Sequence, residues 1–404
     1  MDSQIEENAS KIMEISKWKL CDHCLGRCFS KTVEGAGNKN RGEIVRELLN
    51  IDDKNDSCYI CDNIFDIIEN GIMENIINKI IEEDIEFSTF LVGSRISPEI
   101  LKKEEDMHQK IGLDVENIKK EINREIGKGI LNKTGKMVDF DNPNIVIMVD
   151  FIKNNIDIHI NPIFIEGRYR KLIRGIPQTR WPCKKCKGKG CPKCDFSGQM
   201  YAQSVESFVS SPAVLEANGK DSKFHGAGRE DIDVRMLGNG RPFVLEIKEP
   251  HIRNLDLKLI QEKINNYSNG KVEVRDLKFV GRERKSEIKS SSTDTYKVYK
   301  ALVEVERDIK ENELDLLQSL NVIKQRTPIR VSHRRADKIR IREVKKIDTR
   351  WIDSRNFEMI IECSGGLYIK ELISGDNGRS KPSVSELLKT PALCSILDVL
   401  KVSA

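Results

Sequence analysis

The sequence predicts an α+β fold built from separate modules, and three observations lead to this prediction. The chain has 404 residues, enough for two to three domains that each bury a core. Its first half combines isoleucines at helical spacing with pairs of cysteines, and its second half contains segments in which apolar and polar residues alternate as in strands. No run of 18 apolar residues occurs, so the sequence predicts no membrane span.

The charge balance and the cysteine pattern restrict the class of protein further. The chain has 68 Lys and Arg residues and 64 Asp and Glu residues, which gives a net charge of only +4. A nucleic-acid surface must therefore come from local basic clusters. Eight of the 11 cysteines form four Cys-x-x-Cys pairs, and the first thirty residues lack signal-peptide organisation. These patterns predict a cytoplasmic protein whose cysteines bind metal rather than form disulfides.

Residues 1–62 are predicted to form an N-terminal zinc-binding segment. Its ligands come from two pairs, Cys21 with Cys24 and Cys58 with Cys61. Each Cys-x-x-Cys turn presents two sulfurs on one side of the backbone, so two turns can close one tetrahedral site. A redox-active dithiol is the alternative, but no thioredoxin-like strand and helix surround either pair. With four sulfurs available, His23 is predicted to be a surface residue.

Residues 63–200 are predicted to form a second module, in which two helices precede two strands. Isoleucines at intervals of three and four residues predict helices over 64–81 and 115–131. The strands follow between residues 144 and 165, and His159 is predicted to lie on the solvent side of the second strand.

A second cysteine quartet lies in the stretch WPCKKCKGKGCPKC. Its candidate ligands are Cys183, Cys186, Cys191 and Cys194. Only four residues separate its two pairs, which is tighter than in an ordinary zinc ribbon. The spacing therefore allows a second zinc site but does not require one. Trp-Pro-Cys-x-x-Cys also resembles half of a zinc deaminase site, but no histidine provides the required His-x-Glu. The interleaved lysines suit phosphate contacts.

Residues 201–404 are predicted to form the third module, organised around the segment FHGAGREDIDVRMLGNGRPFVLEIK at 224–248. Its glycines and charged residues predict a loop that carries Asp231, and alternating apolar residues at 243–247 predict a strand after it. Taken alone, an aspartate in such a loop commonly caps backbone amides.

The Gly-Arg-x-Asp signature of pseudouridine synthases occurs at residues 228–231, and the longer string GREDIDVRMLGNGRPF resembles one family among them. These are the archaeal and eukaryotic tRNA pseudouridine synthases with a THUMP domain, which modify uridines 54 and 55 of the T-loop. The resemblance implies that residues 63–200 are a THUMP-type tRNA-binding domain and that residues 201–404 are a mixed-sheet catalytic domain. It also implies that Asp231 is catalytic, as covalent nucleophile or as base.

The same resemblance implies roles for other residues of the catalytic domain. Tyr299, in a Tyr-x-Ala-Leu string, would stack on the target base, although core packing is the alternative for a strand tyrosine. Lys370 would pair with Asp231 and stabilise its negative charge, and Tyr368 would contact the base. The basic stretch 326–346 would bind the RNA backbone. The predicted RNA contacts are Arg229, Arg326, Arg330, His333, Arg334 and Arg335.

Two further segments receive predictions. The resemblance also implies that the basic and aromatic mixture at 168–181, which includes Tyr169 and Lys171, forms part of an RNA surface, and a solvated charged loop is the alternative. Residues 383–402 are predicted to be a closing helix that Pro391 interrupts.

Isomerisation of uridine involves neither redox change nor group transfer, so no organic cofactor and no catalytic metal are predicted. The predicted partner is tRNA, without a membrane and without an obligatory protein partner. One alternative is a non-catalytic RNA-binding protein, which the joint presence of Asp231, Tyr299 and Lys370 disfavours. Another is a THUMP methyltransferase or thiolation enzyme, which would need a G-x-G-x-x-G loop that GAGRED does not provide.

Overall fold

The structure, a computed structural model, divides the chain after Asn161 into two compact units, Met1–Asn161 and Pro162–Ala404. It describes residues 2–51, 57–112, 115–290 and 296–403, without the side chains of residues 2, 3 and 334. Within these ranges no helix has the length and apolar character that crossing a bilayer requires.

The N-terminal unit combines helices with a four-stranded sheet. Its helices are α1 (Asp2–Ile15), α2 (Asp22–Cys28), α3 (Asn38–Leu49), α4 (Ile64–Glu69), α5 (Ile72–Glu82), α6 (Pro98–Ile111) and α7 (Ile118–Thr134). Its strands are β1 (Thr89–Arg95), β2 (Met137–Val138), β3 (Ile145–Asp150) and β4 (Asn155–Ile160). The sheet has the order β2-β1-β3-β4, in which β1 runs parallel to both neighbours and β4 runs antiparallel to β3.

The isoleucine periodicity predicted buried faces correctly but missed one break. Helix α7 confirms the helix predicted at 115–131, and its isoleucines are buried. The helix predicted at 64–81 is two helices, because Gly71 between α4 and α5 has a φ of 153°, which is readily available only to glycine. The exposed His159 on β4 lies on the solvent side as predicted.

The C-terminal unit is built on one large mixed sheet. Its helices are α8 (Val205–Glu216), α9 (Leu257–Ser268), α10 (Arg284–Ser290), α11 (Ile369–Ser374) and α12 (Val384–Leu387). Its strands are β5 (Ile163–Lys171), β6 (Asp221–Gly226), β7 (Arg235–Lys248), β8 (Val272–Val280), β9 (Tyr296–Val305), β10 (Val322–Arg326), β11 (Ile339–Asp353), β12 (Asn356–Ser364), β13 (Ser380–Lys381) and β14 (Ala392–Val402).

The strand order of this sheet is β13-β10-β11-β12-β9-β14-β7-β5-β8, and β6 also pairs with β7. All strand pairs in it are antiparallel except β14 with β7. The two units together therefore confirm the predicted α+β class and the mixed sheet of the second half.

The boundary predicted at residue 200 differs from the division in the structure. Strand β5 pairs with both β7 and β8, so residues 163–171 belong to the C-terminal unit. The second cysteine quartet follows β5 and belongs to this unit as well. A strand signal fixes the local conformation, but it does not say which sheet the strand joins.

The closing helix predicted at 383–402 is wrong. Only one helical turn, α12, forms there, and β14 runs through the middle of the sheet between β9 and β7. Two register shifts against β9, between Cys394 and Ile396 and between Val399 and Lys401, interrupt the inward and outward alternation. The apolar residues of β14 therefore recur at spacings that imitate a helix.

Candidate active site

Asp231 lies on the loop that connects β6 to β7. The two strands are paired up to Gly226 and Phe243, and the loop between them carries the Gly-Arg-x-Asp string. The Asp231 side chain is 29% exposed and borders a cavity of about 600 Å³. The prediction that Asp231 lies on a loop before a strand is confirmed, although Gly238 and Gly240 form an irregularity within β7 rather than a separate turn.

A buried ion pair fixes this loop from below. The side chain of Glu230, next to Asp231, is fully buried and accepts a hydrogen bond from Arg241 Nε at 2.9 Å. The hydroxyl of Tyr169 lies 2.9 and 3.0 Å from the two Glu230 oxygens, and Gln178 Nε2 donates to that hydroxyl at 2.7 Å. Four side chains from separate elements thus determine where the loop lies.

The side chain of Lys171 supports the same loop by binding to the loop's backbone. Its side chain is fully buried, and Nζ donates to the carbonyl oxygens of Ile176 at 3.0 Å, Asp231 at 3.0 Å and Ile232 at 3.2 Å. Burial lowers the pKa of Lys171. The prediction that Tyr169 and Lys171 form an RNA surface is therefore wrong, because both are inaccessible and hold the loop instead.

Cationic side chains surround the Asp231 carboxylate. Arg330 Nη1 lies 2.8 Å from Asp231 Oδ2, and Lys370 Nζ lies 4.0 Å from the same oxygen. Lys370 is closer to Asp233, at 2.6 Å, whereas Arg330 Nε also lies 2.6 Å from Glu371. Lys370 is therefore beside Asp231, as the resemblance implies, but Arg330 makes the shorter ion pair.

Aromatic side chains and a buried lysine line the cavity. Tyr299 on β9 and Tyr368 before α11 both belong to its wall, and Arg330 Cζ lies 5.9 Å from the ring centroid of Tyr368. Burial raises the pKa of Tyr299, so its hydroxyl stays protonated. Lys297 is only 7% exposed, and burial, aided by the charge of Arg241, lowers its pKa to about 8.

Sequence interpretation did not single out Lys297, Glu230 or Arg241. The available signal was phase: Lys297 shares the parity of Tyr299 and the apolar residues that follow it on β9, so it had to face inward. Lys171 is likewise in phase with the buried Ile163 and Ile165 on β5.

The predicted RNA contacts fall into two groups. Those that line the cavity are Arg229, Arg330 and Arg335, and Arg340 and Arg342 of the predicted basic stretch 326–346 line it as well, from β11. Arg326 instead pairs with Asp337 at 2.9 Å, and His333 is exposed and is not among the residues of the cavity wall. Arg334 ends the 3-10 helix Ile329–Arg334, and its side chain lies outside the described part of the chain.

Both cysteine quartets can hold a metal ion. In each, four sulfurs lie within 4.8 Å of one another. Zn–S bonds of about 2.3 Å place the sulfurs of a tetrahedral site about 3.8 Å apart. The observed separations include 3.6 Å between Cys21 and Cys61 and 3.8 Å between Cys186 and Cys194. The donor set and its spacing therefore fit a closed tetrahedral site in both places.

His23, between the first two cysteines, is not a surface residue. It is 8% exposed, and its ring stacks on Phe65 with centroids 4.2 Å apart. Its nitrogens lie 2.9 Å from Glu121 and 3.2 Å from Glu69. The surface prediction is therefore wrong. The sequence could not show these contacts, because Glu69 and Glu121 lie 46 and 98 residues further along the chain.

Comparison with known proteins finds two family models. The model described as Pus10, C-terminal, matches residues 164–403, and the archaeal Pus10 THUMP domain model matches residues 72–150. The first match begins within β5, close to the division between the two units. The predicted THUMP domain and synthase domain are therefore both confirmed at the level of family.

Curated relatives named tRNA pseudouridine synthase Pus10 match the chain along nearly its whole length. The protein of Methanothermobacter marburgensis is 49% identical over 400 residues, which cover 98% of each chain. That of Methanocaldococcus jannaschii is 43% identical, covering 100% of this chain and 97% of the relative, and that of Pyrococcus furiosus is 43% identical, covering 98% of each. Among solved structures, the crystal structure of a Cbf5-Nop10-Gar1 complex aligns with 49% of this chain and 43% of that chain, at 17% identity and a TM-score of 0.29.

Proposed function

The chain belongs to the Pus10 family of tRNA pseudouridine synthases, and from this premise we propose that it isomerises uridine 54, uridine 55 or both in the T-loop of tRNA, with Asp231 as the catalytic carboxylate. The observation that carries the proposal is the position of Asp231. It stands between Arg330 and Lys370 at the wall of a cavity that two tyrosines line.

The reaction needs little more than this arrangement. The C1′–N1 bond of the uridine breaks, a C1′–C5 bond forms, C5 loses its proton and N1 gains one, so no other reactant is consumed. An ionised carboxylate beside the sugar can attack C1′ as a nucleophile or remove a sugar proton as a base. The cations within 4.0 Å of Asp231 stabilise that negative charge.

The cavity suits a nucleotide that has left its stack. Extrusion costs a few kcal/mol, and stacking on an aromatic side chain returns about 1–3 kcal/mol per base. Tyr299 and Tyr368 are the aromatic residues in position for this role. Arg335, Arg340 and Arg342 in the same wall provide positive charge for the phosphates that flank the target.

We assign structural zinc to the two cysteine quartets. Bound zinc would cross-link each quartet and contribute folding energy, and it would take no part in the isomerisation. Cys21, Cys24, Cys58 and Cys61 would hold one ion, and Cys183, Cys186, Cys191 and Cys194 the other.

The test uses unmodified tRNA transcripts and the purified full chain, with pseudouridine mapped by chemical modification and primer extension. Wild type should form pseudouridine at position 54 or 55, and transcripts with cytidine at either position assign the target. Asp231→Ala should abolish the product while tRNA affinity stays within about threefold of wild type. Asp221→Ala, at an aspartate on β6 that is 51% exposed and pairs with Lys248, is the control and should retain activity. Product from the Asp231 variant would refute the assignment.

A further inference from the structure

A second cavity, of about 240 Å³, adjoins the first at the Asp231 loop. The residues that line both cavities are Arg229, Glu230, Asp231, Arg330 and Lys370. Tyr299 and Tyr368 belong to the larger cavity, whereas Trp181 belongs to the smaller one. Asp231 therefore stands where two adjoining spaces meet, each with its own aromatic surface.

Trp181 is held in a fixed position beside this second cavity. Tyr201 contacts it edge to face, with centroids 5.5 Å apart, and the guanidinium carbon of Arg229 lies 5.9 Å from its ring. The backbone amide of Met200 donates to the Trp181 carbonyl at 2.8 Å. Because packing orients the indole in advance, stacking on it would require little further ordering.

The chain leaves Trp181 directly into the second cysteine quartet, and we call residues 182–199 the Cys knuckle. Its two ends are joined by the bridge between Pro182 and Gln199 and by a 2.7 Å hydrogen bond from the Cys183 amide to the Gly198 carbonyl. Its exposed lysines are Lys184, Lys185, Lys187, Lys189 and Lys193. Against these the segment has one acidic residue, Asp195.

An exposed aromatic ring stands at the far end of the Cys knuckle. The Phe196 side chain is 74% exposed, and its backbone amide is fixed by a 3.0 Å hydrogen bond to the Cys191 carbonyl. Exposing a ring of this size on a lysine-rich turn has no packing benefit within the described residues. Aromatic rings beside lysines are the usual composition of a surface that binds single-stranded nucleic acid.

We propose that Trp181 and the Cys knuckle bind the unpaired RNA strand next to the target uridine. Trp181 stacks on the nucleotide adjacent to the target in the smaller cavity, and the lysines and Phe196 hold the strand beyond it. The proposal rests on the proposed function, because it names contacts that position the same substrate. The size of the second cavity fits one base rather than a duplex, and the charge of the knuckle complements a phosphate backbone.

The first experiment combines Trp181→Leu with two modified tRNAs. One carries an abasic ribose on the 5′ side of the target uridine, and the other carries it on the 3′ side. On intact tRNA the variant should lose about 5- to 140-fold in kcat/KM, the range that one base–aromatic stack supplies. On tRNA that lacks the stacked base, wild type and variant should be equal, and Trp181→Phe should restore most of the activity on intact tRNA. An equal loss on intact tRNA and on both abasic tRNAs would overturn the proposal.

The second experiment measures tRNA affinity as a function of salt. The plot of log K against log salt has a negative slope, and replacing Lys184, Lys185 and Lys187 by serine should make it less steep by about 2, since each phosphate contact to a single strand contributes about 0.7. The control removes three exposed lysines elsewhere in the C-terminal unit, Lys220, Lys258 and Lys310, and should leave the slope unchanged. Equal slopes for both triple variants would reject the knuckle as an RNA contact.

The third comparison tests Phe196. Phe196→Ala should weaken tRNA binding at least fivefold, whereas Phe279→Ala, at a phenylalanine that is 49% exposed on the edge strand β8, should not. Elemental analysis and thermal unfolding of each variant show whether the metal and the fold are retained. A wild-type protein that forms no pseudouridine contradicts the proposed function, whereas an active wild type with unaffected variants contradicts this inference alone. Binding of an acidic polypeptide in place of tRNA, lost in the knuckle variants, would also overturn it.

Discussion

Glu230→Gln tests whether the buried ion pair beside the Asp231 loop determines the stability of the C-terminal unit. Glu230 and Arg241 are 0% and 2% exposed, and their atoms meet at 2.9 Å. Glutamine keeps the shape and an acceptor oxygen but removes the charge, so the Arg241 guanidinium is left buried without a counter-ion. Breaking a buried pair in this way costs about 3–5 kcal/mol.

This cost converts into a large thermal shift. In a unit of this size each kcal/mol lowers Tm by about 2–4 °C, so we expect a decrease of roughly 6–20 °C. Differential scanning calorimetry of the full chain at pH 7 measures it. Glu249→Gln, which removes an exposed ion pair with Lys220 at 3.0 Å, is the control and should leave Tm unchanged.

A double variant separates the charge effect from general damage. Arg241→Met added to Glu230→Gln removes the orphaned charge, so the double variant should be more stable than the sum of the two single losses predicts. The reasoning is refuted if Glu230→Gln costs less than about 1 kcal/mol, or if the two losses simply add. Activity should fall in Glu230→Gln although Asp231 is intact, because the loop loses its support.

Three further predictions concern the cavity and the metal sites. Lys297→Met should be more stable than wild type at pH 7 by up to roughly 3 kcal/mol, because the pKa of Lys297 falls from 10.5 in the unfolded chain to about 8 in the folded state, and charged Lys297 therefore opposes folding. As the pH rises from 8 to 10.5, the free energy of unfolding of wild type should increase toward that of the variant. Urea unfolding at pH 7 and pH 10.5 measures both effects. Arg330→Met should lower the single-turnover rate by about 100-fold and more than Lys370→Met does, since Arg330 makes the shorter contact with Asp231; the reverse order would contradict the geometry. Cys61→Ser should halve the zinc content measured by elemental analysis and lower the melting temperature of the N-terminal unit only, and an unchanged zinc content would exclude Cys61 as a ligand.

Local sequence patterns predicted the parts of the site that depend on neighbouring residues. The loop of Asp231, the strand of Tyr299 and the four Cys-x-x-Cys pairs follow from spacing within a few residues. The family resemblance then supplied the roles of Asp231 and Lys370, which spacing alone did not. The roles of all predicted site residues stay predictions until variants are measured.

The support of the site could not be read in the same way, because its partners are distant in the chain. Lys171 and Asp231 are 60 residues apart, and Tyr169 and Glu230 are 61 residues apart. A lysine beside arginines in a sequence suggests a basic surface. The opposing signal, the phase that Lys171 shares with Ile163 and Ile165, becomes decisive only once β5 is known to pair with strands on both sides. The break at Gly71 and the register shifts of β14 were missed because periodicity does not reveal where it is interrupted.

The position of β14 has a consequence for how the enzyme acquires activity. This strand lies between β7 and β9, and Asp398 clamps it in place by accepting hydrogen bonds from Arg174 at 2.5 Å and Arg235 at 3.0 Å. Leu397 and Val399 of the same strand line the larger cavity. Residues separated by about 160 positions must therefore meet before the pocket has a complete wall, and such long-range closure is slow. During refolding, the ability to bind the target nucleotide should appear no earlier than the last phase of sheet assembly. A chain that is already helical and compact would therefore still have no catalytic activity.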